Sequence, residues 1–119
     1  MTRAEYLKQA EHGAVSKRAI QHIEGTYGYS LPEDLQRLIS MSEESIFFDD
    51  DFRTLSQIEI IQAEEDLHVD FSQKGLLPLI DCGDNDLIVY HLKNGLWSKF
   101  NITDGTIFKQ RGSLAELLQ

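Results

Sequence analysis

Leu87-Ile88-Val89-Tyr90-His91-Leu92-Lys93-Asn94-Gly95-Leu96-Trp97-Ser98-Lys99-Phe100-Asn101-Ile102 is the stretch that decides the fold. Two runs rich in branched and aromatic residues flank Asn-Gly, the dipeptide that most readily takes the positive φ angles of a two-residue type I′ turn. This pattern predicts a β-hairpin. With Asn94-Gly95 at the tip, Leu92 is set opposite Trp97, Tyr90 opposite Lys99 and Val89 opposite Phe100. One face then carries Leu87, Val89, Phe100, Ile102 and Ile107. The other carries Ile88, Tyr90, Leu92, Trp97 and Phe108, with Lys99 and Asn101. Both faces are apolar, so both need cover, and the helices and N-terminal segments are expected to supply it.

The signal extends in both directions. Asp104-Gly105 marks a second turn, followed by an extended run from Thr106 to Gln110. Upstream, Leu77 to Cys82 reads as a further strand. Ile46 to Phe48 and Phe52 to Leu55 are short extended candidates separated by an Asp triplet. Four sites fit a capping box, in which a hydroxyl caps a helix and a Glu three residues on reaches back: Thr2/Glu5, Ser30/Glu33, Ser56/Glu59 and Ser113/Glu116. They predict a helical region from about Arg3 to Ile23 that Gly13 breaks or bends, ended by Gly25 or Gly28. They also predict a helix from Ser30 with Pro32 in its first turn, one over about Gln57 to Asp66, and a closing helix over Ser113 to Leu118. The expected architecture is an α+β domain. It has an antiparallel sheet of four to six strands packed with helices, and residues 1–119 form a single domain.

Bulk composition narrows the function classes. The chain has 119 residues, of which 41% are hydrophobic and 26% charged, ordinary values for a globular domain. Its single cysteine, Cys82, has no partner for an internal disulfide, which fits a reducing compartment. Met1 to Ala10 lacks the apolar run of a signal peptide, and no window approaches a membrane span. A cytoplasmic location with no membrane association is the expectation. The net charge is −9, and residues 33 to 70 hold 12 acids against two bases, Arg37 and Arg53. All the excess negative charge lies in that third of the chain. Such a field repels nucleic acid and attracts basic proteins.

Signals for catalysis are poor. No phosphate-binding glycine loop, nucleophile elbow or His-Glu-x-x-His motif occurs. Asp81-Cys82-Gly83-Asp84-Asn85-Asp86 has oxygen ligands at calcium-loop density but no closing bidentate Glu, so it reads as a plain turn. An enzyme or metal reading would have to rest on Asp84/Asp86 or His68/Asp70, which nothing completes. No catalytic residue, metal site or cofactor is expected. Cys82 reads as a small buried residue.

The order of three motifs is informative in another way. Leu31-Pro32-Glu33-Asp34-Leu35-Gln36-Arg37-Leu38-Ile39 comes first, then Leu76-Leu77-Pro78-Leu79-Ile80-Asp81 with its hairpins, then Gly112-Ser113-Leu114-Ala115-Glu116-Leu117-Leu118. Over about residues 16 to 119 this resembles the SMI1/KNR4 family, or SUKH superfamily. The family often has Asn-Gly-Gly after the second helix, whereas this chain has Met41-Ser42-Glu43-Glu44-Ser45. The resemblance implies a non-catalytic immunity protein that binds and neutralises a polymorphic bacterial toxin, often a nuclease. Its alternative is an intracellular adaptor or regulatory domain. On the first reading a basic toxin domain meets Glu43, Glu44, Asp49, Asp50, Asp51, Phe52, Glu64, Glu65 and Asp66. The acids provide steering, and the aromatics beside the Asp triplet (Phe47, Phe48 and Phe52) are either anchors or core.

Overall fold

The computed structural model describes residues 1–119. The chain runs α1 (Arg3–His12), α2 (Lys17–Tyr27), α3 (Glu33–Ser40), β1 (Phe47–Phe48), β2 (Phe52–Thr54), α4 (Gln57–Leu67), α5 (Phe71–Lys74), β3 (Leu76–Gly83), β4 (Asp86–His91), β5 (Trp97–Asn101), β6 (Ile107–Arg111) and α6 (Leu114–Leu117). The six strands form one sheet in chain order, and every neighbouring pair is antiparallel. This is the α+β architecture the sequence implies, at the upper end of its strand count. No helix is long and apolar enough to cross a membrane.

The core follows from the middle of the sheet. Leu76 to Ile80 in β3 and Leu87 to Val89 in β4 are buried at every position. Successive strand residues point to opposite faces, so an unbroken buried run means that both faces are covered. On one face Phe71 of α5 meets Phe100 edge-on, with ring centres 5.8 Å apart. On the other, α1, α3 and the start of α6 lie against Tyr90 and Trp97. Pro78, which has no N–H to give the ladder, stands next to a register shift between Pro78 and Ile80. The intervening Leu79 carbonyl accepts from Leu55 N–H at 2.8 Å.

The hairpins differ from expectation in an instructive way. Tyr90 pairs with Trp97 and Leu87 with Phe100, two residues away from the register that a two-residue turn at Asn94-Gly95 requires. The turn is instead a four-residue loop, Leu92 to Gly95. It is closed by Gly95 N–H to His91 C=O at 2.9 Å and His91 N–H to Leu96 C=O at 2.8 Å. Gly95 alone in the loop has positive φ, 77°. Two forces decide the longer loop. Asn94 Oδ1 accepts from Leu96 N–H at 3.0 Å, and the Leu92 N–H leaves the hairpin to donate to Gly75 C=O at 2.8 Å. A slip of two keeps each side chain on its expected face, where a slip of one would have inverted them. The Asp104-Gly105 turn has the same build, with Gly105 bonding back to Asn101. Adjacent positive-φ residues occur instead at Asp84-Asn85, at 53° and 65°, in the two-residue turn between the paired Gly83 and Asp86, and at Asp49-Asp50 after β1.

The helix ends also divide. Thr2/Glu5 and Ser56/Glu59 form complete capping boxes. Ser113 accepts from Glu116 N–H without the reciprocal bond. Ser30/Glu33 does not form, because Pro32 itself occupies the N-cap of α3. The N–H between them, that of Leu31, is taken by the Glu24 carboxylate at 2.7 Å. The N-terminal helical region is two helices separated at Gly13 to Ser16, and Gly28, at φ 79°, caps the second. α5 gave no sequence signal of its own.

Two buried tyrosines supply a matched test. Tyr27 is 3% exposed and its hydroxyl donates to Ile60 C=O at 2.7 Å. Tyr6 is fully buried and its hydroxyl has no partner. An unpaired buried hydroxyl costs more than a paired one contributes. Tyr27→Phe should therefore destabilise the protein by about 1 kcal/mol, while Tyr6→Phe should leave stability unchanged or raise it by about 1 kcal/mol. Urea denaturation of both variants measures the difference, and equal losses would refute it.

His91 supplies a second. Its Nε2 lies 2.7 Å from the Oγ of fully buried Ser98, and burial holds the imidazole below its ordinary value. The unfolded chain then takes up a proton that the folded protein resists, so stability falls as pH drops through about 6.5. Between about pH 7.5 and 5.5 the wild type should lose more stability than His91→Gln, which keeps a partner for Ser98. Parallel pH profiles for the two proteins would exclude this coupling.

Candidate functional site

β1 is the edge of the sheet, and its two phenylalanines have opposite fates. Phe48 is 1% exposed and stacks on Tyr6 of α1, with ring centres 4.3 Å apart. Phe52 stacks on Phe48 in turn at 5.1 Å, with the Arg3 guanidinium over its outer face. Phe47 points the other way and is 66% exposed. It shares its side of the sheet with Arg53 and Asp81, through the register Phe47 to Arg53 to Asp81. Of the three aromatics around the Asp triplet, one is core, one is half-buried and one is free. Phe47 is the one of the three that water reaches freely. The alternation that sends Phe48 inward is the sequence signal that could have found it.

The acids of this region also separate into employed and free groups. Asp49, grouped by sequence with the steering acids, pairs with Arg3 and accepts its backbone N–H. The Arg3 hydrogen bond holds the Asp49 carboxyl below the usual carboxylate range. Arg3 also donates to the Leu118 carbonyl, joining α1 to the end of the chain. Glu64 accepts from Ser72 N–H at 2.7 Å, at the start of α5. Burial works against the charge of Glu59, but hydrogen bonds from Arg53, Ser56 and Ser45 outweigh it and hold the group ionised. Arg53 is shared between Glu59 at 2.9 Å and Asp81 at 3.5 Å. Glu43, Glu44, Asp50, Asp51, Glu65 and Asp66 are exposed and make no ion pair. Asp50 and Asp51 line a shallow depression of 230 Å³ with Phe47, Phe52, Arg53 and Asp81. Glu65 and Asp66 lie about 9 and about 10.5 Å farther along the α4 axis than Glu59, given a rise of ~1.5 Å per residue.

The groups weighed for catalysis have local roles or none. Asp84 and Asn85 form the β3–β4 turn. Asp86 accepts from Asn101 Nδ2 at 2.9 Å. His68 is the exposed left-handed cap of α4. Burial pushes the Cys82 thiol up to about 11, which keeps it protonated and a poor nucleophile. No three His, Cys, Asp or Glu side chains converge on one point.

A deeper concavity, of 550 Å³, lies on the opposite face of the sheet from Phe47. Leu7 and Ala10 of α1, Leu35 and Leu38 of α3, and Tyr90 and Trp97 of the sheet make its walls, while α6 begins beside it. Burial, and then the nearby Asp34 carboxylate, raise the Tyr90 hydroxyl above its ordinary value. Four distant segments build this cleft, so no single window of sequence announces it.

The chain matches the model of the SMI1 / KNR4 family (SUKH-1) over residues 14–118. No curated protein and no solved structure matches it closely enough to count as a relative. The matched residues take in every element from α2 to α6 and leave α1 outside. Helix entry at Pro32, the Leu-Pro strand, the hairpins and the closing helix thus all fall within one matched span, and the chain belongs to the SMI1/KNR4 family (SUKH-1).

Proposed function

We propose that this protein is a non-catalytic immunity factor that neutralises a cognate toxin domain by binding a basic surface of it. Membership of the SMI1/KNR4 family supports an immunity-type or SMI1-like domain. The observation that carries the finer reading is Phe47, a large aromatic side chain left 66% exposed on the edge strand with the unpaired carboxylates of Asp50 and Asp51 beside it. An exposed aromatic supplies the desolvated anchor of an interface, and surrounding charge supplies speed and orientation of encounter. The last turn of α4 gives further support. Glu65 and Asp66 sit at the negative end of a helix dipole, where acids are locally unfavourable and no base offsets them. Groups kept against a local preference point to a use outside the fold. Asp49 and Glu64 hold the fold together and contribute to binding only through it, and Phe52 flanks the contact rather than anchoring it.

The test is neutralisation and binding of a cognate toxin domain, sought first among the products of the genes adjacent to this one. Phe47→Ala should weaken the complex about 30-fold, the scale of a central aromatic anchor, mainly through faster dissociation. Asp50→Asn with Asp51→Asn should slow association and flatten its salt dependence, since exposed charges act within about 8 Å at physiological ionic strength. Stability should be unchanged, because neither acid is paired and Asn tolerates the positive φ of 57° at Asp50. Asp49 is left intact so that Arg3 keeps its partner. Wild-type rates and salt slope in the double variant, with wild-type affinity in Phe47→Ala, would exclude this surface.

A further inference from the structure

The 550 Å³ cleft between α1, α3 and the sheet has the chemistry of a receptor for a basic peptide segment. Its aliphatic walls come from Leu7, Leu35 and Leu38, and the Trp97 indole forms part of the remainder. Two carboxylates line it, Glu11 and Asp34, and neither makes an ion pair. The lining contains one base, Arg37, which is already committed to Glu33 on its own helix. The cleft is therefore negative.

Trp97 adds an independent sign. It is only 8% exposed, yet its indole N–H donates to no protein group. Tyr6 holds the one buried side-chain polar atom without a partner, so the indole N–H must reach solvent, and the cleft is the surface Trp97 lines. A mostly buried donor opening into an apolar, acid-rimmed cavity asks for an acceptor. A bare cation does not supply one. A peptide carrying Lys or Arg does, through its backbone carbonyls.

We propose that the cleft seats a lysine or arginine side chain of a partner protein. The alkyl stem lies along Leu35, Leu38 and Trp97, the head lies between Glu11 and Asp34, and a neighbouring backbone carbonyl accepts from the Trp97 indole. α1, which supplies Leu7, Ala10 and Glu11, lies outside the residues matched by the family model, so one wall of this site is not part of the matched span. The inference deepens the toxin-binding reading by locating a second contact on the opposite face of the sheet from Phe47.

The experiment uses the isolated 119-residue protein and needs no toxin, so it fails or succeeds independently of the proposed function. Trp97 is the sole tryptophan, so one indole N–H resonance reports on the cleft. The probes are the N-acetyl methylamides of arginine, lysine, norleucine and glutamate, together with ethylguanidinium. Arginine and lysine amides should shift the indole resonance saturably. Norleucine amide should bind about five-fold more weakly, and glutamate amide not at all. Ethylguanidinium, lacking the carbonyl, should bind more weakly than the arginine amide. Glu11→Gln with Asp34→Asn should remove the preference for the basic probes while keeping the norleucine response, which also shows that the cleft remains formed. Four results would overturn the proposal: no saturable shift with any probe, equal shifts with all, an unchanged preference in the double variant, or ethylguanidinium equal to the arginine amide.

Discussion

A sheet that is apolar on both faces must be covered on both faces, and the rest of this molecule is arranged by that demand. In β3 and β4 the buried residues run without interruption, so neither side can be left to water. At this length no single long helix is available to do it. Six short helices share the task, set in place by local devices: two full capping boxes, a proline N-cap and the left-handed caps at Gly28, His68 and Gly75. α1 is the clearest case. It brings Tyr6 onto Phe48, and Arg3 then ties it to Asp49 and to the C-terminal Leu118.

Much of this was legible in the sequence, and the failures are physical. Alternation and Asn/Asp-Gly pairs located the meander, and its faces came out correctly even though the register was two residues out. The dipeptide reports that a turn exists. It does not report that the Leu92 N–H has a better acceptor in Gly75, and that bond sets the loop length. The Ser30 cap failed because its pattern is shared with a helix that Pro32 can start alone. The pairing of Asp49 with Arg3 was not visible because its partner lies 46 residues away, beyond any local pattern. The cleft was invisible for the same reason, since its walls meet only after the sheet forms.

Charge is distributed across the sheet in a way that composition hides. The β1 end carries Asp50 and Asp51, whereas the β6 end carries exposed Lys109 and Arg111. Edge strands with open backbone groups invite pairing with other chains, and both ends blunt that tendency. β1 is only two residues long and ends in the positive-φ turn of Asp49 and Asp50. β6 holds lysine and arginine, and Lys109 has a positive φ of 53° beside the register shift between β5 and β6. Exposed Phe47 thus sits on an edge that gives little purchase to strand addition, which leaves its side chain as the feature open to recognition.

The coincidence of chain order with spatial order in the sheet bears on how the protein assembles. From β3 to β6 each strand is laid beside its predecessor across a loop of two or four residues, so little chain entropy is lost per pairing. Joining β2 to β3 instead closes the whole span of α4 and α5, and fixing α1 brings Arg3 to Leu118, 115 residues apart. Contacts of short separation form fastest and those of long separation wait for them. The fold is therefore kinetically graded. The meander is the part the chain can reach by itself, and the N-terminal helix, with the cleft wall it carries, is the part that depends on everything else being in place.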